Sequence, residues 1–317
     1  MTVPHIAASA KVPATVRRFT RYEVALHAMA GYEAELCEGA SRRRSKGLTV
    51  TDQDQPDEAF GLFPERALRP PLAIIGGMGP LAGAMAFRRA CMRFRDSRTV
   101  VLYQACSAPD RSAVILGASG ADTPACREMV AHLANSAHLA VSLAGEDYRP
   151  VRCILACNSA HYFWRPLEDA LRRSALRRVE VQMVSLVESS VEAIQSQSCR
   201  NTLVLTTEGA REGRVFSAPF RDAGIAFEEP SPALSRLLMR TIFEGVKSLD
   251  SRRAVELGNE FFKNILETGR DYDCVLAGCT EIPHTIDLLK VHGTRRVVSF
   301  LSRVKIIDPV EEALCRT

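Results

Sequence analysis

From residue 71 onward the chain alternates short apolar runs with stretches of helical periodicity, and no other feature of the sequence restricts the fold as much. The runs LAIIGG (72–77), TVVLYQ (99–104), VRCILAC (151–157), VEVQMVS (179–185), TLVLTT (202–207), DCVLAGC (273–279) and VKIIDP (304–309) read as strands. They are short, rich in Val, Ile and Leu, and closed by glycines, cysteines or small polar residues. Helical spacing marks the intervals: 80–94, 125–144, a segment from about His161, 231–247 and 251–269. Pro80 stands just inside the first of these, where its missing N–H and fixed φ favour a helix start. Strands apolar on both faces, alternating with helices, belong to a parallel sheet covered on both sides, so the chain is assigned to the α/β class.

Two of these strands resemble one another. Cys153-Ile154-Leu155-Ala156-Cys157-Asn158-Ser159 parallels Cys274-Val275-Leu276-Ala277-Gly278-Cys279-Thr280-Glu281. Each is a buried-type strand ending in a cysteine and then a small polar residue able to cap a helix. Two like α/β halves built this way would present both thiols at one cleft, where open sheets bind ligands. At a strand-to-helix junction the helix amides are expected to lower a thiol's pKa, which singles out Cys157 and Cys279 as reactive. Cys153 and Cys274, in mid-strand, read as small core residues.

Composition excludes several classes. Net charge is +4, hydrophobic residues make up 46% and charged residues 25%, the profile of a soluble globular protein. The one basic run, Arg42-Arg43-Arg44-Ser45-Lys46, is too short to indicate nucleic acid and reads as a solvated linker. No apolar stretch reaches the roughly 18 residues of a membrane span. Ten cysteines lying in strand-like and helix-like runs, with no secretory signal before them, point to free thiols in a reducing, cytoplasmic setting.

Residues 1–70 differ from the rest. No acid precedes Glu23, while Lys11, Arg17, Arg18 and Arg21 are basic. Phe19, Tyr22, Leu26 and Met29 recur at helical spacing, which suggests a basic amphipathic helix: a peripheral element, or an organelle-targeting segment as the alternative location. Residues 39–58, with GASRRRSKG and TDQDQPDE, read as a linker or loop. Every motif lies beyond Leu72, so the extension is expected to be dispensable for chemistry.

Other chemistries fit less well. Gly77-Met78-Gly79-Pro80-Leu81-Ala82 matches a dinucleotide fingerprint, but the next strand ends at Gln104 without the acid that would hold a ribose, and Pro80 removes an amide. A tight loop lining a small-ligand cleft is the better reading. Cys153, Cys157, Cys274 and Cys279 are four potential zinc ligands, but in a strand Cys153 and Cys157 stand about 13 Å apart, too far to share an ion. No lysine has the setting of a pyridoxal Schiff base. Neither metal nor cofactor is expected.

Residues from about 72 to the C-terminus resemble the aspartate/glutamate racemase family, in particular its aspartate racemase branch. The likeness rests on ordered stretches: IIGGMGP (74–80), PDR with the following AVILG (109–117), CNSAHYFW (157–164), FEGVK (243–247), AGCTEIP (277–283) and IIDP (306–309). It implies two pseudo-symmetric α/β domains with the active site between them, no cofactor, and transfer of the α-proton by two thiols. Cys157 and Cys279 match the catalytic pair, the second taking the proton of the L isomer and the first returning one. Asn158, Ser159 and Thr280 match positions that hold the α-carboxylate and amino group, and Arg111 and Lys247 match the cations on the side-chain carboxylate. Glu281 stands beside the second thiol, and Met78 and Gly79 match the cleft loop. The implied organisation is an extension (1–70), a first domain (71–182 plus 305–317) and a second (183–304), acting on a small acidic amino acid, with a homodimer usual for the family.

Departures from the pattern bear on substrate more than on chemistry. Ser159 replaces a threonine, Phe216 a tyrosine, and Ala210 a hydroxyl residue, while 284–305 is a longer segment than usual. A related cysteine-dependent isomerase or decarboxylase of a small diacid, or a binding protein of the same fold, is the alternative. An α-proton is so weakly acidic that its removal needs a positioned base and donors for the developing charge, and two-way inversion needs one base on each face.

Overall fold

The computed structural model describes residues 15–19, 57–64, 67–118, 120, 122–145, 150–173 and 180–317. Two sheets carry the molecule. The first holds β1 (Thr15–Phe19), β2 (Glu58–Leu62), β3 (Leu72–Gly76), β4 (Val100–Gln104), β5 (Val151–Leu155) and β6 (Val181–Val184) in the order β1-β2-β4-β3-β5-β6. The second holds β7 (Thr202–Leu205), β8 (Phe227–Glu228), β9 (Cys274–Ala277) and β10 (Lys305–Ile307) in the order β10-β9-β7-β8, parallel throughout.

Side-chain alternation explains why both faces of the first sheet need cover. Ala73 and Ile75 of β3, Val101 and Tyr103 of β4, and Cys153 and Leu155 of β5 point to a core built with α3 (Pro124–Ala144), including Met129, Leu133 and Ala137. The intervening residues Leu72, Ile74, Val100, Leu102 and Ile154 meet α1 (Pro80–Phe94) through Phe87, Ala90 and Cys91 on the other face. The second sheet repeats the pattern. Leu203, Leu205, Val275 and Ala277 face Phe261, Phe262 and Ile265 of α9 (Ser251–Glu267), and Val204, Cys274 and Leu276 face Phe216 and Phe220. In each sheet one central strand, β3 or β7, has neighbours on opposite sides reached by later crossovers. Open α/β sheets bind ligands outside the carboxyl ends of such strands.

The first sheet is not wholly parallel. β2 runs antiparallel to β4, with Glu58 opposite Gln104 and Leu62 opposite Val100, and β1 lies parallel to β2. The link 63–71 explains this, because it is shorter than the dozen or more residues that a parallel crossover needs. Two strands thus come from the expected extension. Arg17, Arg18 and Phe19 lie in β1 rather than in a helix, and Glu58 of TDQDQPDE begins β2 rather than ending a linker. The basic run 42–46 and residues 20–56 generally lie outside the described residues.

The closing segment 305–317, expected with the first domain, divides between the two. β10 pairs with β9 of the second sheet, whereas Val310, Ala313 and Leu314 of α12 (Pro309–Cys315) join the core around α1. The long stretch 284–305 folds largely as α10 (Ile282–His292) and α11 (Arg295–Arg303), which place Ile286, Leu289, Val297, Phe300 and Leu301 in the core against α9. Among the described residues no helix is long and apolar enough to cross a membrane.

Candidate active site

Loops leaving the carboxyl ends of both sheets close on one another. Gly77, at φ +89°, turns the chain after β3 against Ala105, where any side chain would collide with the backbone. Gly79 follows, and a Cβ there would meet Glu281 Oε1 from the second sheet. Ser159 after β5 shares a 2.9 Å hydrogen bond with Thr207 after β7. Gly209 packs so closely on Ser112 that a Cβ would fall 2.6 Å from Ser112 Cα. Through these contacts the loops carrying Gly79, Ser112 and Ser159 from the first sheet meet those carrying Glu281, Gly209 and Thr207 from the second, as opposed lips of one junction.

On the first lip, Cys157 is partly exposed and its loop is pinned through His161. The Leu186 N–H donates to His161 Nε2 at 3.1 Å, so the ring proton resides on Nδ1, which donates to the Cys157 carbonyl at 3.0 Å. Burial drives the His161 pKa down to about 4, keeping it neutral, and it stacks on Trp164 with centroids 4.8 Å apart. Asn158 does not cap the 3₁₀ turn 159–163 that precedes α4 (Trp164–Arg173). Its amide is 2% exposed, and neither Oδ1 nor Nδ2 has a partner. Buried amides are ordinarily hydrogen-bonded, so Asn158 is set apart from the polar residues around it.

The second lip differs. Cys279 is 7% exposed and donates to Glu281 Oε2 at 2.9 Å, while Thr280 Oγ1 donates to the same oxygen at 3.1 Å. Contrary to the expectation of a lowered pKa, the Cys279 thiol is pushed well above its usual value. Burial is the main cause, the adjacent Glu281 charge the next, and Lys247 opposes them. The cap expectation also fails here, since the Thr280 hydroxyl is spent on Glu281 and no side chain caps α10. Gly278 lets this loop pass, because a Cβ would sit 2.7 Å from Thr206 Cγ2.

Two cations complete the set. Arg111, 5% exposed at the start of α2 (Arg111–Gly117), donates Nη1 to the Pro109 carbonyl at 3.0 Å and Nη2 to the Met78 carbonyl, and its Nε has no partner. Lys247 ends a π-helical turn (Thr241–Val246) and lies 4.4 Å from the Phe243 ring centroid. Glu244, the nearest acid on that turn, is already bonded to Arg240 and Arg253.

His161 and Thr207, which bond the Cys157 carbonyl and Ser159, are neighbours of the candidate residues that the sequence reading did not assign. The CNSAH motif displayed the histidine, but only the fold reveals its partner Leu186, 25 positions away. Phe216 and Ala210 prove to be core residues, 1% exposed, the former packed behind Gly278 and against Phe220. Cys153 and Cys274 are fully buried, with burial pushing the Cys153 thiol up to about 12. Among the described residues no three His, Cys, Asp or Glu side chains are grouped to hold a metal ion.

A model of the Asp/Glu/hydantoin racemase family matches residues 75–316. Among solved structures, an aspartate racemase from Picrophilus torridus is similar at 19% identity, covering 78% of this chain and 92% of that one with a TM-score of 0.57. An aspartate racemase homologue from Pyrococcus horikoshii is similar at 18% identity, over 78% and 97% of the two chains, with a TM-score of 0.51. At these identities the structures attest to the fold.

Proposed function

The chain belongs to the Asp/Glu/hydantoin racemase family, and on that premise we propose that it inverts the α-carbon of an acidic amino acid, aspartate or glutamate, by proton transfer between Cys157 and Cys279. What supports this reading is that the loops at the carboxyl ends of the two sheets, which carry Cys157 and Cys279, meet one another, with the buried Asn158 amide and Arg111 guanidinium beside them retaining unbonded polar atoms. Asn158, Ser159 and Thr280 hold the α-carboxylate and ammonium, and Arg111 and Lys247 hold the distal carboxylate. Arg111 has a free N–H for this, and a charge-assisted bond orients as well as binds.

Proton accounting follows from the Cys279–Glu281 contact. The resting thiol carries its proton toward Glu281 Oε2. Passing that proton to the carboxylate leaves a thiolate that can take the α-proton of the L isomer. Cys157, from the other lip, returns a proton to the opposite face, and the reverse sequence serves the D isomer. Burial opposes the Cys279 thiolate, and Lys247 together with the substrate ammonium supplies the compensating positive charge.

A chiral assay of the purified protein with L- and D-aspartate and L- and D-glutamate, run in deuterium oxide, tests the reading. Deuterium should enter the α-position from either enantiomer of aspartate and the mixture should approach equal parts. Absence of exchange with all four substrates would overturn it.

A further inference from the structure

We propose that Asp57, outside the family-matched region, is a positioning residue that sets the grip of Arg111 on the distal carboxylate of the ligand. The inference rests on the reading of Arg111 given above.

Because β2 runs against β4, its beginning lies at the end of β4 from which the site loops emerge. Asp57, just before β2, uses both carboxylate oxygens there. Oδ1 accepts from Ser107 N at 3.0 Å and from Ser107 Oγ at 2.8 Å, and Oδ2 accepts from Tyr103 Oη at 2.8 Å. These bonds fix the entry of the loop that ends in Arg111. The same loop is tightened by Ala108 N donating to Ala105 O at 3.1 Å, and its far end is held by Arg111 donating to Pro109 O. Arg111 is a buried cation whose described partners are carbonyls, not a carboxylate. Its aim therefore depends on the backbone of 105–110, and that backbone hangs on Asp57.

Charge supports the geometry. His132 of α3 feels both Asp57, which favours its protonation, and Arg111, which opposes it, although burial dominates and lowers its pKa. The two groups therefore share one field. Tyr103 is held protonated by burial and by its bond to Asp57, so the phenol remains a donor through the neutral range. Asp57 thus contributes fixed acceptors at the start of the loop that leads to Arg111.

The test compares binding of succinate and butyrate, which differ by one distal carboxylate, in the parent, Asp57→Asn and Ser107→Ala by calorimetry, with aspartate kinetics alongside. Asp57→Asn should weaken succinate by about tenfold, the scale of one charge-assisted hydrogen bond, and leave butyrate within about twofold. KM for aspartate should rise with it while kcat holds. Ser107→Ala should shift succinate in the same direction by less, and it stands in if Asp57→Asn fails to fold. Combining Asp57→Asn with Arg111→Ala should be no worse than Arg111→Ala alone, because both act through one contact. Equal weakening of both acids, a fall in kcat with KM unchanged, or additive losses in the double variant would overturn the proposal. A parent that binds succinate yet racemises nothing refutes the racemase reading alone. A parent that binds succinate no better than butyrate refutes the positioning role.

Discussion

The two lips of the junction start from nearly the same strand and end with thiols in opposite surroundings. CILACNSAH places Cys157 where solvent reaches it, on a loop fastened by a neutral histidine. CVLAGCTEIP buries Cys279 and sets a carboxylate against its sulfur. The residue two places beyond the cysteine makes the difference. Ser159 reaches across to Thr207, while Glu281 turns back on Cys279 and Thr280. A repeated motif therefore yields two cysteines in different surroundings, one partly exposed and one buried against a carboxylate.

The sharpest way to break that comparison is to remove each sulfur in turn. Cys157→Ser and Cys279→Ser should each lower racemisation by roughly 10³-fold or more, the range for losing a positioned acid or base. Cys157→Ser should still exchange the α-proton of the L isomer into deuterium oxide, and Cys279→Ser that of the D isomer, as measured by NMR of each pure enantiomer. Equal exchange of both enantiomers in either variant would show that one sulfur serves both faces.

Glu281→Gln addresses the asymmetry itself. Removing the adjacent charge should lower the Cys279 pKa, so iodoacetamide should modify Cys279 at lower pH while Cys157 labelling stays as in the parent. L-isomer exchange should nevertheless fall by about 10–100-fold, because the thiol proton has lost its acceptor. Peptide mapping of the label separates the two cysteines, and an unchanged Cys279 profile would remove Glu281 from the proton path.

His161 tests the first lip through stability. A base whose folded pKa is about 4 against an ordinary 6.5 contributes stability that is complete above the ordinary value and lost as pH falls toward 4. Lowering pH from 7 to 5 should cost roughly 2 kcal/mol from this group, and His161→Gln should flatten that dependence in urea titrations. The smallest effect is expected in the mid-strand cysteines. Cys153→Ser and Cys274→Ser should lower stability by about 1–3 kcal/mol through an added buried hydroxyl, with inversion intact.

What the sequence displays and what it hides have physical causes. The strands β3, β4, β5, β7 and β9 were legible because a strand covered on both faces must be apolar along its whole length. The cysteines at the ends of β5 and β9 and the helix start at Arg111 stand out in the sequence because they lie in local motifs. β2 was not, since its entry, PDE, is polar, and its apolar residues Ala59, Phe60 and Leu62 follow a stretch that looks like a linker. The direction of the Cys279 shift was hidden for another reason. A helix start suggests a lowered thiol pKa, but the outcome is set by how completely the folded chain excludes water around the sulfur, and that depends on residues from several elements.

The divided C-terminal segment has a mechanical consequence. The chain passes between the halves after β6 and returns after β10, and α12 is clasped to the first half by Arg89–Asp308 and Arg93–Glu311 and to α5 (Leu186–Ser196) by Arg316–Glu192. Two crossings side by side behave as a pair of pins rather than a single tether. With two connections, rotation of the halves about either one is restrained by the other.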